Sequence, residues 1–421
     1  MFKRLLKSGK KNNPSDLLDR LQLIRSENIG PQRFAALLAH FGTAEAALDA
    51  AQKGEIPFVS ANSKKPIRLC PRVNAEQELI YADKIGVRFI SFDEEIYPPY
   101  LREIGNPPPL LVVKGNAEIL RRPCFSIVGS RNASAIGSRL SYQFARELGE
   151  AGFVIVSGFA RGIDSFAHNA ALKTGTIAAV AGGVDYIYPP ENEKLYQEIL
   201  ANGGAFISEM PLGWKPRAVD FPRRNRLIAG LSLGLLVVEA SERSGSLISA
   251  RHAAEGGRIV FAVPGSPLDP RAKGANGLIK DGACLADSSK DILDTLSPLF
   301  TKEQKNLSAF PPPRDTELSN IADRESEQNN ENPVSPPPPS ATGNHGSHNT
   351  PAPAEACGSD ELTEREKRLL LQSLSLAPIA IDSLAQITNI PLSRLYLGLM
   401  DLELAGSLLR HDGGLVSAAP A

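Results

Sequence analysis

Residues 124–164, CFSIVGSRNASAIGSRLSYQFARELGEAGFVIVSGFARGID, decide how the chain folds. The stretch opens on CFSIV, a nearly continuous apolar run of the kind a strand buried on both faces requires. Gly129-Ser130-Arg131 interrupts it, and AIGSRLSYQFARELGEAG follows with the apolar spacing of an amphipathic helix. FVIVS then repeats the first run, and Gly158 begins a second glycine-containing loop. A strand, a helix and a strand in this order form a right-handed crossover unit of a parallel sheet.

The pattern continues outward. TIAAVAGG (176–183), AFISEM (205–210), LGLLVVEA (233–240) and RIVFAVPG (258–265) are further buried-strand runs, separated by SFAHNAALKTG, NEKLYQEILANGG and GSLISARHAAEGG. The region from about 75 to 300 is therefore expected to be an extended Rossmann-like, doubly wound α/β domain with a mostly parallel sheet. GVRFISF through LLVVKGN should add strands at one end of it. Residues 1–74 form a small N-terminal helical module, with LLDRLQLI, IGPQRFAALLAHFG and TAEAALDA broken at Gly30 and Gly42. Its Ile29-Gly30-Pro31 turn resembles a helix-hairpin-helix or SAM-like element. Residues 301–360 are rich in Pro, Asn and Ser and poor in large apolar side chains, which suits a disordered tether. Residues 361–421 regain periodicity as three helices and a glycine hairpin, the pattern of a winged helix.

Composition narrows the function classes. The four cysteines, Cys70, Cys124, Cys284 and Cys357, lie far apart without CxxC spacing, so neither a disulfide framework nor a zinc site is expected. The basic opening MFKRLLKSGKKNN lacks an apolar signal core, and no window approaches the roughly 20 apolar residues of a membrane span. A soluble, cytoplasmic protein is expected. The net charge of -1 is an average that can hide opposed patches.

In an open parallel sheet, ligands bind beyond the carboxyl ends of the strands, where helix N-termini bring unpaired amides. Three loops should meet there: Gly129-Ser130-Arg131, the segment from Gly158 through Arg161, and Ser244-Gly245-Ser246. Each combines small residues that admit a phosphate with a hydroxyl or an arginine to grip it. The same rim should carry Lys215-Pro216-Arg217-Ala218-Val219-Asp220-Phe221-Pro222-Arg223-Arg224-Asn225-Arg226, which sets five bases against one acid. A charge run is commonly a solvated face. Beside three phosphate-suited loops, and with Trp214 and Phe221 interleaved, it reads instead as a single-strand nucleic-acid surface, with arginines for phosphates and an aromatic for base stacking. Phe221 is equally suited to core packing.

Several enzyme signatures are missing. GSRNAS is not the GxGxxG turn of a dinucleotide site, and no GxxxxGK[ST] loop seats a triphosphate. Asp164 and His168 lie four residues apart on one helix face, but a capping Asp164 and a packed, hydrogen-bonded His168 explain them better than a catalytic pair. Glu239 ends a strand without a second carboxylate to work with. No catalytic residue, cofactor or metal is expected.

The motifs IVGSRNAS, SGFARGIDSFAHNAAL, TIAAVAGGVDYIYPPEN, ISEMPLG, FPRRNRLIAGLS, VVEASERSGSLISARHAAEGGRIVFAVPG and GANGLIKDGA closely resemble the DprA/Smf family. The resemblance implies a core that binds single-stranded DNA, forms a homodimer and loads RecA onto incoming DNA in natural transformation. It carries a binding role to Arg131, Phe221, Arg223, Asn225 and Arg226. The YPPEN loop departs from what DNA would favour, offering Glu191 where a base would help. Rival readings are an enzyme of the nucleoside-monophosphate phosphoribohydrolase type, whose PGGxGTxxE signature SERSGSLISA lacks, and a dimeric adaptor that binds no DNA.

Overall fold

The computed structural model describes residues 14–55, 67–297, 362–375, 377–411 and 414–419. The basic start and the tether assigned to 301–360 lie outside the described residues. At the centre is a nine-stranded sheet in the order β1-β2-β6-β5-β4-β3-β7-β8-β9. Its parallel part comprises β3 (Cys124–Val128), β4 (Val154–Ser157), β5 (Thr176–Ala179), β6 (Ala205–Ser208), β7 (Gly234–Val237), β8 (Ile259–Ala262) and β9 (Cys284–Leu285). At one edge, β1 (Val87–Ser91) pairs antiparallel with β2 (Leu110–Gly115), which pairs antiparallel with β6. Every residue of β3 to β7 is buried, which is why these runs lack polar alternation.

The helices that follow the strands are α6 (Ala135–Glu150), α7 (Ile163–Ala170), α8 (Glu193–Ala201), α9 (Asp220–Leu231), α10 (Ser246–Glu255) and α11 (Lys273–Lys280). From β3 the chain winds through β4, β5 and β6, then returns to place β7 on the other side of β3. This reversal puts a crevice between the loops after β3 and β7.

The N-terminal helices are α1 (Pro14–Arg25), α2 (Pro31–Phe41) and α3 (Ala44–Gln52), followed by α4 (Arg72–Lys84) and the short α5 (Pro99–Arg102). Leu18 and Leu21 of α1 share an apolar cluster with Leu79, Phe89 and Phe206, so α1 and α4 close one side of the sheet. Leu23, Phe34, Leu37 and Leu48 form a separate small core. Arg25 fixes α1 by two 2.9 Å bonds to the Glu78 carboxylate and one of 3.0 Å to the Glu209 carbonyl.

At the C-terminus, helices Glu364–Ser373, Ile381–Thr388 and Leu392–Leu404 accompany a three-stranded sheet of Ile379–Ala380, Leu415–Ala418 and Leu408–His411, the expected winged helix. A capping box at Thr363 and Glu366 starts its first helix. Ala135 at the start of α6 joins its apolar cluster, and Arg271 donates to the carbonyls of Gln372 and Leu374 at 2.8 and 2.6 Å.

Phe125 is fully buried in β3, with ring centroids 6.0 Å from Phe153 and 6.0 Å from Phe261. Phe125→Ala should lower unfolding free energy by about 3–5 kcal/mol, seen as a reduced urea midpoint at unchanged m-value.

Candidate nucleic-acid interface

The loops after β3 and β4 are built as one piece. Ile163 donates its amide to the Ser130 carbonyl at 3.2 Å, and a Cβ on Gly162 would lie 2.4 Å from that same oxygen. Gly162 has φ +74, a conformation that favours glycine. Buried Phe159 takes φ 59, which a side chain seldom adopts.

The loop from Gly158 to Arg161 is not the open amide cradle that its sequence suggests. The Asp164 carboxylate turns back and accepts from Gly158 at 3.1 Å and Ala160 at 3.2 Å, so these amides already face an anion. Gly162, rather than Asp164, is the cap residue of α7, which corrects the capping role expected for Asp164. Burial pushes the Asp164 carboxyl up, against the pull of Arg224. What this loop offers a ligand is the exposed side chain of Arg161.

Helix periodicity divides the basic segment. Arg224 is buried beneath the rim and gives its Nη1 to the carbonyls of Gly158 and Ala179, the latter at 2.6 Å. It is therefore part of the scaffold rather than a free phosphate ligand. Arg226 departs from the expected role in another direction: it pairs with Glu209 and donates to the Asn106 carbonyl. Arg217 binds Asp220 at 3.2 Å and lies 4.5 Å over the Trp214 ring, whose Nε1 donates to Asp220 at 3.0 Å. Asn225 ties α9 to the start of α10 through a 3.1 Å bond to the Gly245 carbonyl. Lys215, Arg223 and Arg131 are exposed, and among the described residues none of the three forms a salt bridge.

Phe221 lies half-buried at the second position of α9, outside the apolar clusters of the sheet. Arg131 holds its guanidinium 5.0 Å from that ring, and Tyr188 approaches with a centroid separation of 5.8 Å. The core-packing alternative for Phe221 thus loses its support. Tyr188 was not singled out in the sequence, although it stands directly before Pro189-Pro190 in the loop after β5.

Two cavities adjoin along this edge. One, of about 420 Å³, lies at the β3/β7 reversal among Gly129, Ser130, Arg131, Asn225, Ser244, Gly245 and Ser246. The other, of about 190 Å³, is lined by Arg131, Arg161, Tyr186, Tyr188, Pro216 and Phe221. The first mixes polar and apolar lining, with Ser244 and Ser246 hydroxyls 2.7 Å apart at the start of α10 and Phe221 and Ile248 also on its wall. The second is aromatic with an arginine rim. A chain of alternating phosphates and bases needs this pair of environments.

The residues weighed as catalytic have structural work. Glu239 accepts from Ser134 at 2.5 Å through the hydroxyl and 2.9 Å through the amide, holding the start of α6. Burial pushes its carboxyl up. His168 is fully buried, with Nδ1 2.7 Å from Thr176 Oγ1. That hydroxyl donates to the Ile155 carbonyl at 2.7 Å, so the histidine must donate from Nδ1, leaving Nε2 without a partner among the described residues. Among the described residues no group of His, Cys, Asp and Glu is placed to hold a metal, and no helix is long and apolar enough to cross a membrane.

Sheet, reversal point and rim define a Rossmann-like α/β protein with an arginine-bearing crevice at its topological switch. Residues 88–297 match the family described as DNA recombination-mediator protein A, residues 14–80 the DprA-like N-terminal HHH domain, and residues 350–414 the DprA winged helix domain. Protein Smf of Synechocystis sp. is 34% identical over 400 residues, covering 92% of this chain and 95% of its own. Protein Smf of Escherichia coli is 43% identical over 228 residues, 54% of this chain, which spans 61% of that relative's length. The X-ray structure of DNA processing protein A (DprA) from Streptococcus pneumoniae matches with TM-score 0.52 and 33% identity, over 65% of this chain and 95% of that one. The chain belongs to the DprA/Smf family.

Burial lowers the His168 pKa to about 3. Its folded value lies below the unfolded value near 6.5, so its contribution is present above pH 6.5 and is lost as pH falls toward 3. Urea unfolding should show stability falling by up to about 1.4 kcal/mol per pH unit in that window. The difference between pH 7 and pH 5 should shrink in His168→Gln by about 2 kcal/mol at most.

Proposed function

We propose that the protein is a single-stranded-DNA-binding recombination mediator that performs no chemistry on the strand. The observation that carries this reading is the run Arg131, Phe221 and Tyr188, in which the arginine and the phenylalanine are shared by a cavity bearing the Ser244 and Ser246 hydroxyls and by an aromatic one that Tyr188 also lines. Phosphates lie against Arg131, Arg223 and Lys215 and in the crevice at Ser244-Gly245-Ser246, while a base enters the aromatic cavity. Arg161 lies at the mouth of that cavity. Arg224, Asn225 and Gly158 support these contacts from below. The enzymatic alternative is disfavoured because Glu239 is committed to Ser134 and His168 to Thr176.

Loading of RecA onto the strand and homodimerisation complete the proposal, both drawn from the family. A groove between α10, β8 and α11 supports a dimer surface, since Val260, Leu278 and Cys284 line it and Leu285 is 48% exposed on the edge strand β9. Lys273, Lys280, Glu242 and Asp281 also line it, a mixture of signs that suits self-association. Leu285→Arg should shift the protein toward monomer in light scattering. An unchanged mass would remove β9 from the interface.

The binding test is an anisotropy titration of labelled single strands at several salt concentrations. Log affinity should fall with log salt at about -0.7 per phosphate neutralised. A flat isotherm would exclude the phosphate mechanism. Arg131→Ala should weaken all sequences alike and reduce the slope, because a phosphate contact reads no base.

Phe221→Ala should cost about 1–3 kcal/mol of affinity at nearly unchanged slope. Arg226→Ala should instead lower stability, since it leaves half-buried Glu209 without its guanidinium. Removing everything after Ser297 should leave single-strand affinity within a few-fold, and a hundredfold loss in a folded core would move the binding site off this rim.

A further inference from the structure

The loop beside the aromatic cavity carries a charge that plain phosphate binding does not call for. Glu191 stands in the 3-10 turn Pro190–Asn192 and lines the cavity that Tyr188 and Phe221 also line. Asn192 is buried and donates its side-chain amide to the carbonyls of Phe159 at 3.0 Å and Ala160 at 3.4 Å. The turn is thereby stapled to the loop that bears Arg161. Glu191 Oε1 lies 3.7 Å from Arg161 Nη1, with side-chain exposures of 52% and 59%. An ion pair this exposed adds little to stability. Its chemical content is what it presents: an acceptor-only carboxylate beside a donor-only guanidinium at the edge of an aromatic site of about 190 Å³.

Resting on the single-strand reading above, we propose that Glu191 and Arg161 read the Watson–Crick edge of the base in this cavity and give the rim a preference for guanine. Unstacked bases are recognised on that edge while their faces lie against aromatic rings. Guanine sets a carbonyl acceptor next to two adjacent N–H donors. The carboxylate takes both donors, and the guanidinium takes the carbonyl oxygen. Adenine offers one amino group beside a ring acceptor, and cytosine likewise has one amino group. Thymine places a single N–H between two carbonyl oxygens, one of which faces the second carboxylate oxygen. The preference therefore has a repulsive part as well as an attractive one. Contacts made by Arg131 to phosphate stay blind to sequence.

The test measures anisotropy for four short unstructured oligonucleotides: alternating dT-dG, alternating dT-dA, alternating dT-dC, and plain dT. Wild-type protein should bind the dT-dG strand about tenfold more tightly than plain dT, the low end for a bidentate base contact. Glu191→Ala should bring that ratio close to unity while leaving plain-dT affinity equal or higher, because a negative charge leaves the rim. Arg131→Ala should weaken all four strands and keep the ratio. Equal wild-type affinity for the four strands, with Arg131→Ala weakening each, would overturn the preference and leave the single-strand reading standing. A preference that persists in Glu191→Ala would overturn the role of Glu191. If wild-type protein binds none of them, the single-strand reading falls and the preference falls with it.

Discussion

A guanidinium buried beneath the rim is the constraint on which the site depends. Arg224 is 6% exposed, and burial lowers its pKa to about 10, so it remains charged at neutral pH. A charge removed from water is tolerable only where partners replace the lost hydration. Here they are the carbonyls of Gly158 and Ala179, at the ends of adjacent strands, with the Asp164 charge nearby. The bond to Gly158 explains why that position has no room for a side chain: a Cβ there would lie 2.2 Å from Arg224 Nη1. Asp164 holds the same loop by its amides. Buried ions of opposite sign thus fix the shape of a surface whose exposed ions are left for a ligand.

The strands were legible in the sequence because burial on both faces leaves an unmistakable apolar run, as in CFSIV and FVIVS. The loops were legible as positions, since a parallel sheet sends all its functional connections to one edge. Their chemistry was less so. A glycine-containing loop suggested free amides after β4, but a carboxylate six residues beyond Gly158 occupies two of them. Nothing in the spacing distinguishes Asp164 as a helix cap from Asp164 as an internal counter-anion, because that depends on a φ of 74 at Gly162 and on Arg224 from a different helix.

The basic segment shows the same limit residue by residue. As a string, FPRRNR offers three equivalent arginines. Wound at 3.6 residues per turn, it sends Arg223 to solvent, Arg224 into the interior and Arg226 toward Glu209. The partner that withdraws Arg226 lies 17 positions earlier, on a strand-end loop that sequence alone does not bring near. In the winged helix Arg394 pairs with Glu366 at 2.8 Å and Arg410 with Glu403 at 2.6 Å, while Tyr396, Met400 and Leu404 stand 48%, 53% and 81% exposed along one helix. Such a face is poorly suited to a polyanion.

The withdrawn arginine contributes by another route. Arg226 holds half-buried Glu209, whose backbone carbonyl accepts from Arg25 of α1. The α9 helix is therefore fastened on its inner side to the strand ends through Arg224 and on its outer side, through the Glu209 segment, to the N-terminal helices. A helix held from both sides presents Phe221 and Arg223 with little freedom left to lose on binding. Ordering costs are a large part of what association must overcome. By spending two of the arginines of FPRRNR on rigidity, the fold lets the remaining exposed cations and one aromatic ring act from fixed positions.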